Sequence, residues 1–473
     1  MTVTSFCANL FQDHKELYQI LWAGKQQSLA KDCPQIVSIS QEMQRLDPLA
    51  VLQAIAKPNQ LQFYWENRRK QEAIAAIDAA VSLQVEGRDR FSKAQQFIQH
   101  CLKNTISNGI LNLPFSGSHF FCSFTFFENN LTVDNPFPSA TIFLPRWQVS
   151  LQNSTCVLVA NVEINSKVNL DLLVESLCTQ FRTISWSRHS LANSNETKLA
   201  ELIKQDSNNT EWFKLAVSSA LKSIQTNQFS KIVLANAIDV LSPQPFNLIN
   251  SLKNLRKRHP DCYIFSTSNG KGQNFIGASP ERLISVHNNQ LVTDALAGSA
   301  PRGKTRGEDA TFAHQLLISA KERREHQFVL DFITKRLSQL GLTPQLLPTP
   351  QLLQLSNIQH LWTPIQSLVP VDVHPLDIVA KLHPTPAVAG VPTDIVLRHI
   401  LHYEHFDRGL YAAPLGWVDY QGNSEFIVGI RSALIEGSKA RLYAGAGIVA
   451  GSNPEKELVE IQLKLQALLR ALA

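Results

Sequence analysis

A chain of 473 residues can bury a large core, and with 44% hydrophobic and 18% charged residues its composition is that of a soluble globular protein rather than a disordered one. Lysine and arginine exceed aspartate and glutamate by 44 to 39, a net +5 that no basic run or basic helix face concentrates, so no nucleic-acid partner is expected. The seven cysteines (Cys7, Cys33, Cys101, Cys122, Cys156, Cys178 and Cys262) are scattered, odd in number and never spaced C-x-x-C, and read as reduced thiols. The first residues carry no basic segment followed by an apolar one, and no segment reaches about 18 apolar residues, so a cytoplasmic protein with no membrane contact is expected.

In chain order, residues 89–104 (DRFSKAQQFIQHCLKN) have helical periodicity, whereas HFFCSFTFF (119–127), ATIFLPRWQVSL (140–151) and CVLVANVEI (156–164) are rich in β-branched and aromatic residues and read as strands. Residues 193–211 are polar and asparagine-rich, a surface connection that divides an N-terminal part (1–195) from a C-terminal region (196–473) holding the candidate chemistry. A helix over Glu211 to Ile224 would bury Phe213, Val217, Ala220 and Ile224. The strand KIVLANAIDV follows, then a hairpin of YIFSTS and QNFIGAS around Asn269, Gly270, Lys271 and Gly272, which are expected to supply positive φ angles. LISV, the turn HNNQ and LVTDALAGS continue the pattern. Strand following strand predicts an antiparallel α+β architecture rather than a doubly wound parallel sheet.

Gly298 to Thr305 (GSAPRGKT) satisfies G-x-x-x-x-G-K-[ST], the pattern of a phosphate-binding loop. Its context argues otherwise: Gly307 falls where the first helical turn should be, the next helix is expected near Asp309, and Pro301 removes an N–H from the cradle. His399, His402, Glu404 and His405 cluster without an HExxH pattern or a further ligand, so no zinc is assigned.

Four residues stand out as candidate acids and bases. Lys231 opens an apolar strand, where a lysine pressed against apolar walls can act as a base, although taken alone it reads more readily as an edge lysine guarding the strand end. Glu281 follows the GASP turn and could simply pair with Arg282. Glu325 is expected within one long helix from Asp309 to Leu337, sharing a face with Leu317, Ile318, Phe328, Val329 and Phe332. The last helix, entered through Ser452, Asn453 and Pro454, would bury Leu458, Ile461, Leu465 and Leu468 and set Glu457, Glu460 and Lys464 on a separate stripe. Carboxylates from two helices could hold Mg²⁺, or Glu460 and Lys464 could form a surface pair; spacing leaves both open.

Taken together, FSKIVLANA, FIGASPERL, ALAGSAPRG, KERREH, HLWTP, LHPTPAVAGVP, FDRGLYAAPLGW, FIVGIRSALI and RLYAGAGIVAGSNPEKELVEIQLKL resemble the chorismate-utilising enzymes, from about Phe229 to the C-terminus. The resemblance implies a layered α/β sandwich in which two antiparallel sheets enclose the site and helices lie outside. It implies that Lys231 activates water, that Glu281 protonates the departing C4 hydroxyl, and that Glu325 and Glu460 bind Mg²⁺ with Glu457 nearby. By the same resemblance Arg431, the backbone at Gly445 and Lys464 receive the enolpyruvyl carboxylate, Gly298 and Ser299 flank the ring, and His360 and Thr385 line the pocket. Ala297 stands where aminodeoxychorismate synthases have the lysine of PIKGT, and anthranilate synthases resemble PIAGT and lack a lysine at the position of Lys231. Water is then the implied nucleophile, with isochorismate synthase the expected activity, salicylate synthase the alternative, and a nucleotide hydrolase a more distant one. A monomer acting on chorismate without a glutaminase subunit is implied, serving menaquinone or phylloquinone synthesis. Asn236, where the family often has arginine, and Ser299, in place of threonine, depart from the pattern.

Overall fold

The computed structural model describes residues 10–129, 135–187, 203–204, 209–355 and 358–472. Most of the polar connection at 193–211 lies outside the described residues; of the rest, Ile203–Lys204 pairs with Val240 and Leu241, and a helix begins at Asn209. The strand-like segments of the N-terminal part form strands His119–Phe124, Ala140–Gln152 and Thr155–Ile164. Thr155–Ile164 pairs with Gln35–Met43 on one side and Ala140–Gln152 on the other. Thr105–Gly109 joins Gln35–Met43 in the parallel sense, while every other described pairing is antiparallel.

At Ala140–Gln152 the sheet forks. One branch runs through Glu72–Val85, Leu61–Asn67, Tyr263–Asn269, Gln273–Ser279, Ser432–Glu436, Lys439–Val449 and Lys231–Leu241. The other runs through His119–Phe124, Pro414–Asp419, Ser424–Val428, Arg282–His287, Gln290–Pro301 and Ile358–Leu368. The two expected antiparallel sheets are thus two arms of one hydrogen-bonded network, and strands from the first 195 residues lie inside both arms.

Twice the chain steps from one arm to the other in a few residues: at Pro280–Glu281, between Gln273–Ser279 and Arg282–His287, and at 429–431, between Ser424–Val428 and Ser432–Glu436. These steps are tied together. Val428 N donates to Glu281 O at 3.1 Å, Ala278 N to Arg431 O at 3.1 Å, and Ser279 Oγ to Val428 O at 2.6 Å. Arg431 has a left-handed φ of 50°, a conformation costing about 1 kcal/mol in a non-glycine residue, and a Cβ on Gly277 would lie 2.7 Å from Arg431 O. The crossing is therefore held closed by its neighbours.

Helices cover the arms. Asn209–Gln225 buries the expected Phe213, Val217, Ala220 and Ile224, and packs with Pro454–Leu472 near Lys231–Leu241 and Lys439–Val449. In the hairpin only Gly270 and Gly272 take positive φ, 71° and 95°. The single long helix expected from Asp309 to Leu337 is two helices, Arg306–Ile318 and Ala320–Ser338. Ser319 ends the first and caps the second, its Oγ accepting from Glu322 N at 3.4 Å. The buried stripe of the second is His326, Val329, Ile333 and Leu337, and Ile318 is 61% exposed, so the predicted apolar face was displaced.

Gly307 does sit in a first helical turn, because the helix starts at Arg306 rather than near Asp309; Thr305 caps it in a reciprocal bond with Glu308. The phosphate cradle is nevertheless filled by the chain's own carboxylates: Asp309 accepts from Gly303 N at 2.9 Å, and Glu308 accepts from Lys304 N at 2.9 Å and Thr305 N at 3.3 Å. An incoming phosphate would meet two anions there.

Candidate active site

The pocket lies where the arms face each other. Lys439–Val449 supplies Gly445 and Gly447; Gln290–Pro301 supplies Ala297, Gly298 and Ser299; Ile358–Leu368 supplies His360. The two crossings supply Glu281 and Arg431, and helices Ala320–Ser338 and Pro454–Leu472 supply Glu325, Glu460 and Lys464. No one element carries more than a few of these groups, which is why their positions in sequence are so dispersed.

At one end, Lys231 is 1% exposed, and its Nζ donates to Glu325 Oε1 at 2.8 Å. The neighbouring strand must approach closely for this: a Cβ on Gly447 would stand 2.7 Å from Glu325 Oε1 and 3.2 Å from Lys231 Cε. Glu281 is buried, and burial pushes its carboxyl up to about 8; Lys231 pulls it down and Asp294 adds to the rise. At neutral pH this carboxyl holds a proton.

At the other end two cations converge. Lys464 Nζ donates to Gly445 O at 2.8 Å and to Glu460 Oε1 at 2.7 Å. Arg431 Nη2 lies 3.3 Å from His360 Nε2, and His360 Nδ1 lies 2.9 Å from Ser299 Oγ. Burial, then the charges of Arg431 and Lys464, hold His360 well below the usual imidazole range. The ring is neutral; its Nε2 accepts from the guanidinium, so Nδ1 carries the proton and donates to Ser299. A guanidinium and an ammonium facing one space suit a carboxylate.

Beneath these groups lies a set of carboxylates from two helices: Glu322 and Glu325 on Ala320–Ser338, and Glu457 and Glu460 on Pro454–Leu472. Burial and the neighbouring negative charges push Glu322 and Glu457 upward. Burial also pushes Glu460 up, but Lys464 and then Lys321 together more than offset it. Hard oxygen donors of this kind suit a divalent cation. As the side chains stand, no three His, Cys, Asp or Glu among the described residues converge tightly enough to hold a metal. Glu325 and Glu460 each give an oxygen to a lysine instead.

Of the residues singled out from sequence, Glu281, Gly298, Ser299, Glu325, His360, Arg431, Gly445, Glu460 and Lys464 line this one pocket, and Lys231 reaches it through Glu325. Thr385 does not line it; it is buried behind Val388, whose N donates to Thr385 O at 3.1 Å, and its own Oγ1 has no partner. Glu457 lies outside the lining, 3.7 Å from Lys321 Nζ. Sequence reasoning passed over Tyr411, a buried pocket residue stacked on Tyr443 with ring centroids 5.2 Å apart, and over Lys321 and Glu322. All three sit inside blocks that were noticed, FDRGLYAAPLGW and KERREH.

The His399 to His405 cluster has other work. Glu404 accepts from Ala235 N at 2.7 Å and from Arg408 Nη2 at 2.6 Å, His405 packs edge-on against Trp212, and His399 against Phe229. The six described cysteines are free, five of them buried, and Cys7 lies outside the described residues. Among the described residues no helix is long and apolar enough to cross a membrane.

With this geometry in view, the family profile of the chorismate binding enzymes matches residues 23–473. The chain belongs to this family. The salicylate biosynthesis isochorismate synthase of Pseudomonas aeruginosa is 33% identical over 452 residues, covering 94% of this chain and 92% of the relative. An isochorismate synthase of Bacillus subtilis is 29% identical over 448 residues, covering 92% and 93%. Among solved structures, the menaquinone-specific isochorismate synthase of Escherichia coli superposes with a TM-score of 0.77 at 26% identity, covering 97% of this chain and all of that one. Component I of anthranilate synthase from Streptococcus pneumoniae, at 20% identity and a TM-score of 0.70, shares the fold. The forked antiparallel sheet is thus the chorismate binding enzyme fold, and the pocket where its arms meet is that family's candidate active site.

Proposed function

We propose that the chain is an isochorismate synthase, an isomerase that interconverts chorismate and isochorismate. The observation that carries the chemical reading is the buried Glu281, whose carboxyl is pushed up to about 8 and so holds a proton where a departing hydroxyl needs one. Water attacks C2, the ring double bonds shift, and the C4 hydroxyl leaves as water with the proton of Glu281. Lys231, as the neutral amine, takes the proton of the attacking water; for this its Nζ must first release the contact with Glu325 and one proton to solvent. One water enters and one leaves, so the reaction is close to balanced and reversible.

Arg431, Lys464 and the backbone at Gly445 receive the enolpyruvyl carboxylate, with Gly298 and Ser299 beside the ring and His360 fixing the Ser299 hydroxyl. Thr385 supports this wall from behind rather than touching substrate. The reading includes Mg²⁺ held by Glu325 and Glu460, with Glu457 joining through water. When bound, the ion anchors and polarises the ring carboxylate. Water as nucleophile fits Ala297, which offers no amine in the pocket. Residues 196–473 form the catalytic region in this proposal and residues 1–195 its structural support, in a cytoplasmic monomer without a glutaminase subunit.

Purified protein incubated with Mg²⁺ and chorismate and analysed by chromatography should accumulate isochorismate. Salicylate with pyruvate as the main product would move the assignment to salicylate synthase, and no turnover would defeat both.

A further inference from the structure

One cation in the carboxylate cluster has no part in the mechanism proposed above. Lys321 stands in the first turn of helix Ala320–Ser338, immediately before Glu322, because the chain breaks and re-caps at Ser319. Its Nζ lies 3.7 Å from Glu322 Oε1 and 3.7 Å from Glu457 Oε1, bridging the two helices that carry the carboxylates. The other members are held individually. Glu322 Oε2 accepts from Ser299 N at 3.1 Å, Glu325 is tied to Lys231, Glu460 to Lys464, and Ser452 hydrogen-bonds Glu457. Lys321 makes no close hydrogen bond with any of them, and its side chain keeps 39% exposure, so it can withdraw into solvent. Burial opposes its charge, but Glu457, Glu322, Glu325 and Glu460 all favour it, in that order.

We propose that Lys321 is a tethered counter-cation of the carboxylate cluster, occupying its field when no metal is bound and competing with Mg²⁺ for it. This rests on the reading that Glu325 and Glu460 hold the ion. Two long contacts from one half-exposed ammonium to two helices offset part of the cluster's charge without closing it, and an arriving divalent cation meets one positive charge fewer once Lys321 swings out. Lys321 thereby sets the metal affinity: it lowers it, keeping the ion exchangeable, while preventing the carboxylates from forcing the helices apart in the metal-free protein.

The test is Mg²⁺ binding without substrate, by calorimetric titration and by the Mg²⁺-dependent rise in melting temperature, on wild type, Lys321→Gln, Lys321→Met and Lys321→Arg. Lys271→Gln in the exposed hairpin turn serves as a control for loss of one positive charge elsewhere. Removing a charge a few ångströms from the cluster should tighten Mg²⁺ about tenfold in the Gln and Met variants. Metal-free Gln and Met variants should melt lower than wild type and regain the difference with Mg²⁺, while Lys321→Arg and Lys271→Gln should match wild type. Unchanged or weaker Mg²⁺ binding in folded Gln and Met variants overturns the proposal and leaves the metal site standing. Absence of Mg²⁺ binding to wild type overturns the metal site and this inference together.

Discussion

Replacing Glu281 with glutamine separates its role as a proton donor from its role as a buried, neutral filler. With its carboxyl pushed up to about 8, the free enzyme carries the proton on Glu281 at neutral pH. A general acid of this kind predicts that kcat/KM is level around neutrality and falls tenfold per pH unit above about 8. Glu281→Gln keeps the shape and neutrality of the protonated acid but has no proton to give. It should lose about 10²- to 10⁴-fold in rate and the alkaline limb with it. Stability should move oppositely. The unfolded chain gives up this proton near its ordinary value of 4.5, whereas the folded chain keeps it to about 8. Stability contributed below pH 4.5 is therefore lost as pH rises towards 8, by up to about 5 kcal/mol, and is constant beyond it. Glutamine does not titrate, so the variant should gain on wild type between pH 5 and 8 in denaturant melts. An alkaline limb near pH 8 that persists in the variant, or wild-type activity level to pH 10, would refute the assignment of the acid.

Lys231→Ala should cost about 10² to 10⁴ in turnover, measured by isochorismate formation, and a near-normal rate would remove this lysine as the base. Arg408→Met should destabilise the fold by about 3–5 kcal/mol in denaturant melts, since it strands the buried Glu404 without its cation; a change within error would mean that Glu404 finds another partner. Lys304→Ala, at the exposed turn of GSAPRGKT, should leave isochorismate formation unchanged, and an ATPase activity abolished by that substitution would revive the phosphate-loop reading.

Periodicity carried the C-terminal helix and the strands well, because each keeps a regular face towards the core: Leu458, Ile461, Leu465 and Leu468 are all buried, as their spacing predicts. It failed at Ser319, where a capping serine three residues before Glu322 interrupts an apolar pattern that reads as continuous. Taken singly, Lys231 and Glu281 had ordinary structural readings, and only the ordered blocks made them a site. What no pattern in the chain could give is the forking of the sheet. Pairing of Leu61–Asn67 with Tyr263–Asn269, or of His119–Phe124 with Pro414–Asp419, joins residues nearly 200 and 300 positions apart, and burial on both faces leaves such strands without a distinguishing alternation. Thr385 was misplaced for a related reason: LHPTPAVAG reaches the pocket through Ala387 and Val388, and a block match does not say which of its residues faces inward.

The fork also explains why the proposed acid and one of the proposed substrate-binding cations arise at unremarkable turns. Glu281 and Arg431 each follow a strand of one arm and precede a strand of the other, so neither belongs to a face with a period. The reciprocal bonds between the two crossings, Val428 N to Glu281 O and Ala278 N to Arg431 O, lock them to each other rather than to a helix or strand interior. In the proposed mechanism, substrate contacts at Arg431 are coupled through these bonds to the backbone that carries Glu281. Loosening one crossing, for example by adding a Cβ at Gly277, which would stand 2.7 Å from Arg431 O and 2.6 Å from Phe265 Cζ, should disturb proton donation and carboxylate binding together. Gly277→Ala is accordingly expected to lower kcat and raise KM, whereas Lys464→Ala, which leaves both crossings intact, should act mainly on KM.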